Sequence, residues 1–127
     1  MDIRRGQVWW WNCPHHNRKH IQEGKRPVVV VSNNTCNKAS PVITVVPLTT
    51  SVKRPYPQQV PIIFQESVSI AIADQLTSIP VSELENCVCT LCDFQMDQID
   101  RAIAVQLSLV LAHDQSYAAS PKKNEGE

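Results

Sequence analysis

The sequence predicts an α+β fold, mainly β, in which five or six short strands close into a barrel-like sheet with one amphipathic helix packed on it. Three observations predict this fold. Short apolar runs rich in valine and isoleucine alternate with polar stretches as far as residue 91. Most of the nine prolines fall between these runs. Beyond residue 91 the apolar residues recur at helical spacing instead of alternating.

Six segments are predicted to be strands: residues 7–11, 27–32, 42–48, 59–64, 69–73 and 87–91. Residues 33–37 have the composition of a turn, and residues 80–85 that of a short helical turn. In the second strand Pro27 is followed by four valines, which are stiff at χ1 and suit a strand buried on both faces. Pro27 also favours extended backbone at Arg26, so we expect Arg26 at the mouth of a rigid strand.

The last apolar segment is predicted to be an amphipathic helix, with apolar residues at positions 96, 99, 103, 107, 110 and 111. Acidic residues at 93, 97 and 100 lie near its start, where the helix dipole favours them. The length of 127 residues fits a single domain, which we place at residues 1–117. Residues 118–127 are polar and lack large apolar side chains, so they are expected to form a disordered tail.

The distribution of charge is more informative than its total. Twelve Lys and Arg residues balance twelve Asp and Glu residues. Basic residues and histidines crowd residues 15–26, which is compatible with a nucleic-acid partner, a solvated loop being the alternative. The N-terminus lacks the apolar core of a signal peptide, and no apolar run is long enough to span a bilayer. We therefore expect a cytoplasmic protein whose five cysteines are free thiols.

Arg26 is the strongest single candidate for a functional residue. A guanidinium held at the mouth of a rigid strand can donate two parallel hydrogen bonds to phosphoryl oxygens. A structural ion pair is the alternative interpretation of the same residue.

Three consecutive tryptophans cannot all face one side of a strand, so Trp10 is expected opposite Trp9 and Trp11. An exposed indole could stack on nucleobases. Burial in the core or in a subunit interface is the interpretation that we favour.

The cysteines at positions 87, 89 and 92 suggest a zinc site, with Cys13 or His15 as a distant fourth ligand. Their spacing does not form the paired knuckle of a structural zinc site. Small buried thiols are therefore favoured, and no metal or other cofactor is predicted.

Five blocks of sequence, taken together, resemble the MazF/PemK family of endoribonuclease toxins from bacterial toxin–antitoxin pairs. They are RGQVW at 5–9, RPVVVVSN at 26–33, VVPLTT at 45–50, IADQL at 72–76 and MDQIDRAI at 96–103. Their order and spacing match the family pattern over about residues 4 to 111. Each block alone is weak, whereas five in order form a specific pattern.

The resemblance implies a small SH3-like barrel of the MazF/CcdB type with a C-terminal helix, which forms a homodimer. It also implies metal-independent cleavage of single-stranded RNA at short motifs, neutralisation by a cognate antitoxin, and DNA binding by the toxin–antitoxin complex. The family's catalytic arginine falls on Arg26 and its catalytic threonine on Thr49. In such cleavage the substrate's own 2′-hydroxyl is the nucleophile, and the products are a 2′,3′-cyclic phosphate and a 5′-hydroxyl.

The residues predicted to contact RNA lie in these blocks or in the adjoining loops: His20, Gln22, Lys25, Asn33, Thr50, Lys53, Arg54 and Gln75. The loop histidines at 15, 16 and 20 titrate near neutrality and could act as general acids. The family uses no histidine, so RNA contact or plain solvation is favoured for them.

Two departures from the family pattern matter. Members commonly carry a Ser-Glu-Gln run before the arginine, where this chain has His20-Ile21-Gln22, so the acidic residue is missing unless Glu23 substitutes for it. Many members also have an arginine at the position of Thr77. Both departures favour, as an alternative, a weak or inactive RNA-binding relative. A gyrase-poisoning barrel is a second alternative, and it is disfavoured because such poisons carry a tryptophan near the C-terminus whereas this chain has none after Trp11.

Overall fold

The computed structural model describes residues 2–14, 24–50 and 59–110. Within these ranges the chain forms β1 (Gln7–Cys13), β2 (Gly24–Val30), α1 (Asn34–Ala39), β3 (Val42–Thr49), β4 (Gln59–Phe64), β5 (Ser67–Ile72), β6 (Thr77–Pro80), β7 (Leu84–Thr90) and α2 (Asp93–Leu107). Short 3-10 turns at Ala73–Gln75 and Val81–Glu83 flank β6. None of the helices in the described ranges is long and apolar enough to cross a lipid bilayer.

The strands form one antiparallel sheet in the order β4-β5-β3-β2-β1-β7. β5 and β6 follow each other along one edge of β3, β5 beside Leu48 and Thr49 and β6 beside Val42–Val45. A three-residue 3-10 turn then joins β6 to β7, so the sheet must curve until the β6 and β7 ends approach one another. The result is a half-barrel with a C-terminal helix, which confirms the predicted mainly-β fold class.

The four-valine segment is buried on both faces of the sheet, as predicted. Val28 and Val30 belong to one buried cluster, called the inner cluster, together with Trp9 and Ile43. Val29 belongs to a second buried cluster, called the outer cluster, which includes residues of α2. All three valines of β2 have no exposed surface, so β2 is a rigid central strand.

Helix α2 packs on the sheet through Met96, Ile99 and Ala102, three of the residues that form the outer cluster. Cys92 caps the helix: its sulfur accepts a hydrogen bond from the backbone of Gln95, and the Gln95 side chain accepts one from the Cys92 N–H at 3.1 Å. The helix ends at Leu107, because Ser108 adopts a left-handed conformation. The predicted extension of the helix to Val110 is therefore wrong, and position 111 lies outside the described residues.

Two local predictions need correction. Residues 33–37 are not a simple turn but the start of α1, where the Asn33 side chain accepts a hydrogen bond from the Cys36 N–H at 2.8 Å. Asparagine is common both in turns and at helix N-caps, so composition alone could not separate the two. Strand β6 was not predicted, because it contains only four residues and buries only Ile79.

The first of the five sequence blocks, at residues 5–9, connects several elements of the fold. Gly6 has a φ of +94°, donates its N–H to Val30 at 2.8 Å and accepts a hydrogen bond from Leu91 at 2.9 Å. The neighbouring Arg5 guanidinium contacts the Asp100 carboxylate on α2 and the backbone oxygen of Val31. These contacts fasten the N-terminal segment to β2, to the end of β7 and to the helix.

Candidate active site

Arg26 and Thr49 lie at adjacent strand ends. β2 pairs with β3 in the register Val28↔Pro47 and Val29↔Val46. The pairing ends at Val28 and Pro47, and Arg26 and Thr49 each lie two residues beyond that point on the same side of it. Both residues line one pocket of about 360 Å³. The structure therefore brings together the two residues predicted to be catalytic.

Arg26 is half-buried, with Trp11 of β1 opposite it on the other side. The ion pairs within the described ranges are Arg5–Asp100, Lys25–Glu85 and Arg101–Asp97, so no carboxylate there neutralises Arg26. No acceptor in those ranges hydrogen-bonds its guanidinium either. A partly desolvated cation without an anionic partner is stabilised when an anion binds to it. The alternative of a structural ion pair finds no partner among the described residues.

The first pocket combines positive charge with an aromatic wall. Trp10 and Lys25 line it beside Arg26, and Thr50 adjoins Thr49. Lys25 is mostly exposed and pairs with Glu85 at 2.8 Å. Trp10 lines this pocket. Trp9 belongs to the inner cluster, and Trp11 packs against that cluster. The predicted opposition of Trp10 to the other two tryptophans is confirmed, and Trp10 lies beside the site and not within the core.

A second pocket, of about 530 Å³, adjoins the first at Arg26. Its lining includes Trp11, Gln75 and Glu83. Thr77, the position of one departure from the family pattern, also lines it. Arg26 therefore borders both pockets, which together are called the groove below.

The structure places only some of the predicted RNA contacts in this groove. Lys25 and Thr50 line the first pocket, and Gln75 lines the second. Asn33 lies in neither; it lines a third pocket with Arg5 and caps α1. The predicted contacts His20, Gln22, Lys53 and Arg54, and the departure at Ile21, lie outside the described residues.

Glu83 is a site residue that the sequence interpretation missed. Its Oε1 accepts a hydrogen bond of 2.9 Å from the indole Nε1 of Trp11. It is also the one carboxylate among the described residues that line either pocket. No sequence motif marks Glu83, and only the pairing of β1 with β7 brings it next to Trp11.

The five cysteines are free, as predicted. The prediction that the group at 87, 89 and 92 is buried is wrong for Cys87 and Cys92, which are exposed, while Cys89 is half-buried. Cys87 lies on β7, an edge strand of the sheet with one open side, and Cys92 lies beyond that strand at the N-cap of α2. No group of three or more His, Cys, Asp or Glu side chains is arranged to hold a metal ion in the described part of the chain.

We predict that Cys87 reacts slowly with alkylating agents despite its exposure. Partial burial of the sulfur raises the pKa of the Cys87 thiol, so less of it is thiolate near neutral pH. Labelling by iodoacetamide, followed by peptide mass spectrometry, should be slower at pH 7 than for an unperturbed peptide thiol. The rate should keep rising above the pH at which that reference levels off. Equal rates at pH 7 would contradict the prediction.

The family of PemK-like, MazF-like toxins of type II toxin–antitoxin systems matches residues 4–107. The chain belongs to this family. Membership confirms the resemblance drawn from the five sequence blocks. Endoribonuclease MazF9 of Mycobacterium tuberculosis (strain ATCC 25618 / H37Rv) is 29% identical over 117 residues, which cover 84% of this chain and 98% of that protein. Endoribonuclease EndoA of Bacillus subtilis (strain 168) is 31% identical over 115 residues, with 87% and 98% covered.

Solved structures of this family share the fold. A mycobacterial endoribonuclease in complex with its cognate antitoxin superposes with a TM-score of 0.70 at 25% identity, covering 86% of this chain and 98% of that one. MazF from Deinococcus radiodurans superposes with a TM-score of 0.73 at 20% identity, covering 86% and 99%. The predicted MazF-type barrel with a C-terminal helix is thus confirmed.

Proposed function

We propose that this family member is a metal-independent, sequence-selective endoribonuclease, the toxin of a type II toxin–antitoxin system. The observation that carries the proposal is that Arg26, without an anionic partner in the described ranges, lines one pocket together with Thr49. Two relatives that align with most of the chain are named endoribonucleases, which supports the same activity.

In the proposed mechanism the 2′-hydroxyl oxygen of the substrate bonds to the adjacent phosphorus and gives up its proton, while the bond from phosphorus to the 5′-oxygen of the next nucleotide breaks and that oxygen gains a proton. Arg26 donates hydrogen bonds to the phosphoryl oxygens and stabilises the negative charge that builds up on them. Thr49 has one donor and two acceptor sites, with which it orients the phosphate or the 2′-hydroxyl. Arginine retains its proton at neutral pH, so charge stabilisation is its primary role. The products are a 2′,3′-cyclic phosphate and a 5′-hydroxyl.

The groove on both sides of Arg26 supplies further contacts to single-stranded RNA. Lys25 attracts the backbone phosphates, and Trp10 offers an aromatic surface on which a base can stack. Thr50 and Gln75 supply polar contacts in the first and second pockets. His20, Gln22, Lys53 and Arg54 are proposed contacts from the sequence alone. Asn33 would contact RNA only at a separate surface, since its pocket does not include Arg26.

The proposed partners are a cognate antitoxin and a second copy of the chain, in the cytoplasm. The mycobacterial relative solved with its antitoxin supports the first of these. Binding of the antitoxin would restrain the toxin until it is needed.

A weak or inactive RNA-binding relative is the second candidate function. The observation that favours it is that Thr77, where many members have arginine, lines the second pocket beside Arg26. Losing a cation there would weaken the hold on phosphate without removing the pocket itself.

The test is incubation of a long, end-labelled single-stranded RNA with the protein in EDTA. We expect a limited set of fragments, because a sequence-selective enzyme cuts at a short motif. Their 5′ ends should accept phosphate from polynucleotide kinase without prior phosphatase treatment, as 5′-hydroxyl ends do. Fragments that form only after a divalent metal is added would contradict the mechanism. RNA binding in a gel shift without any fragments would favour the second candidate.

A further inference from the structure

Glu83 is a negative charge inside a groove proposed to hold a polyanion. It lines the second pocket with Arg26. Burial raises the pKa of the Cys13 thiol, while Arg26 lowers it and Glu83 raises it. Both charges therefore lie within electrostatic reach of the same buried sulfur. Yet Arg26 and Glu83 do not form an ion pair, so neither neutralises the other by direct contact.

The Glu83 carboxylate is held in place but not saturated. Trp11 Nε1 donates to Oε1 at 2.9 Å, and Glu83 makes no other hydrogen bond or ion pair with the described residues. An ionised carboxylate offers about four acceptor sites and no donor. Most of its capacity is thus open to a ligand that presents N–H or O–H groups.

In an RNA groove such a carboxylate repels phosphate, so its favourable contacts must be with donors on a base. Guanine presents two adjacent donors, N1–H and the N2 amino group, which match the two oxygens of a carboxylate. Adenine and cytosine place a ring acceptor beside their amino group, and uracil flanks its single N–H with two carbonyl oxygens. Guanine is therefore the base whose donors match the Glu83 carboxylate best. Single-stranded RNA leaves the Watson–Crick edge of the base free for such a contact.

The pocket also has the size and lining that a base needs. Its volume of about 530 Å³ lies within the range usual for small-molecule pockets. The half-buried Trp11 lines it and offers an aromatic surface next to the carboxylate that it holds. Arg26, on the border with the first pocket, would hold the phosphate next to such a base.

We infer that Glu83 is a specificity-determining residue, which accepts the N1–H and N2–H donors of a guanine seated in the second pocket beside the linkage held by Arg26. This inference rests on the proposed function and names one base of the RNA that it would cut. A role for Glu83 as general base fits the structure less well, because Thr49 lines the first pocket and Glu83 lines only the second.

The first experiment maps cleavage ends on a pool of randomised single-stranded RNA. We expect wild-type protein to require guanine at one fixed position near the cut. Replacing that guanine by inosine, which lacks the N2 amino group, should slow cleavage by about tenfold. Glu83→Gln keeps the size of the side chain but adds a donor, so the preference for guanine should fall by about 10- to 100-fold and adenine should be accepted. Asp93→Asn, at an exposed position outside both pockets, is the matched loss of one charge and should leave the motif unchanged.

A second measurement does not depend on cleavage. A fluorescent oligodeoxythymidine with one central deoxyguanosine lacks the 2′-hydroxyl nucleophile and cannot be cut. In fluorescence anisotropy, wild-type protein should bind it about tenfold more tightly than the same strand with deoxyinosine. Glu83→Gln should bind both strands equally. Trp11→Phe, which removes the indole donor but keeps an aromatic ring, should show an intermediate preference.

The outcomes separate the inference from the proposed function. Cleavage without a fixed guanine, or a Glu83→Gln protein that cuts the same motif only more slowly, would overturn the assignment of Glu83 to base selection. Absence of cleavage by the wild type would overturn the proposed function. In that case the anisotropy comparison would still decide whether Glu83 selects guanine.

Discussion

Arg26→Ala is expected to lower the rate of RNA cleavage by about 100- to 1000-fold, while the protein remains folded. Among the described residues Arg26 is the one cation that borders both pockets, and no anion there forms an ion pair with it. In the proposed mechanism its removal takes away the donors that stabilise the charge developing on the phosphate. Single-turnover cleavage of a labelled RNA measures the loss, and circular dichroism checks the fold.

Two companion variants make the Arg26 result specific. Arg26→Lys keeps the charge but loses the planar pair of donors, so its rate should stay at least about tenfold below that of the wild type. Arg4→Ala removes the same side chain from an exposed position outside both pockets, and it should cleave at the wild-type rate. Cleavage by Arg26→Ala at a rate near that of Arg4→Ala would remove Arg26 from the mechanism.

The local sequence pattern predicted the buried strand β2 and the helix α2. The valines after Pro27 predicted a strand buried on both faces, because β-branched side chains without a polar break leave little else for that segment to form. The apolar spacing from Met96 onwards predicted the helix and its buried stripe. The end of the helix was not predictable from that spacing. Apolar residues continue to Val110, but the helix ends before them because Ser108 adopts a left-handed conformation.

The site depended on pairings that no local pattern contains. Arg26 and Thr49 line one pocket because β2 and β3 are neighbours in the sheet, whereas the resemblance to the family identifies both residues from the sequence alone. Glu83 could not be found in this way. Its importance arises from Trp11, more than seventy residues earlier, which reaches it only because β1 pairs with β7. A contact that is set by sheet topology cannot be inferred from composition or residue spacing.

Ile99→Ala is expected to lower the free energy of unfolding by about 2–5 kcal/mol. Ile99 has no exposed surface and lies in the outer cluster, where α2 packs on the sheet that carries both pockets. Truncation removes buried methyl and methylene groups and leaves a cavity that the rigid valines of β2 and β3 cannot fill by moving. Urea denaturation followed by circular dichroism measures the loss. Protein concentration must be held constant, because the proposed homodimer would make the midpoint concentration-dependent.

Val105→Ala is the matched control for Ile99→Ala, since it truncates a β-branched residue of the same helix that is 53% exposed. Its effect should stay within about 0.5 kcal/mol, as is usual for surface positions. Ile99 touches neither pocket, so Ile99→Ala should cleave RNA at the wild-type rate at temperatures where it is fully folded. A rate that falls in the folded variant would show that the packing of α2 sets the geometry of the groove. Equal stability of the two variants would instead show that α2 is not fastened to the sheet through Ile99.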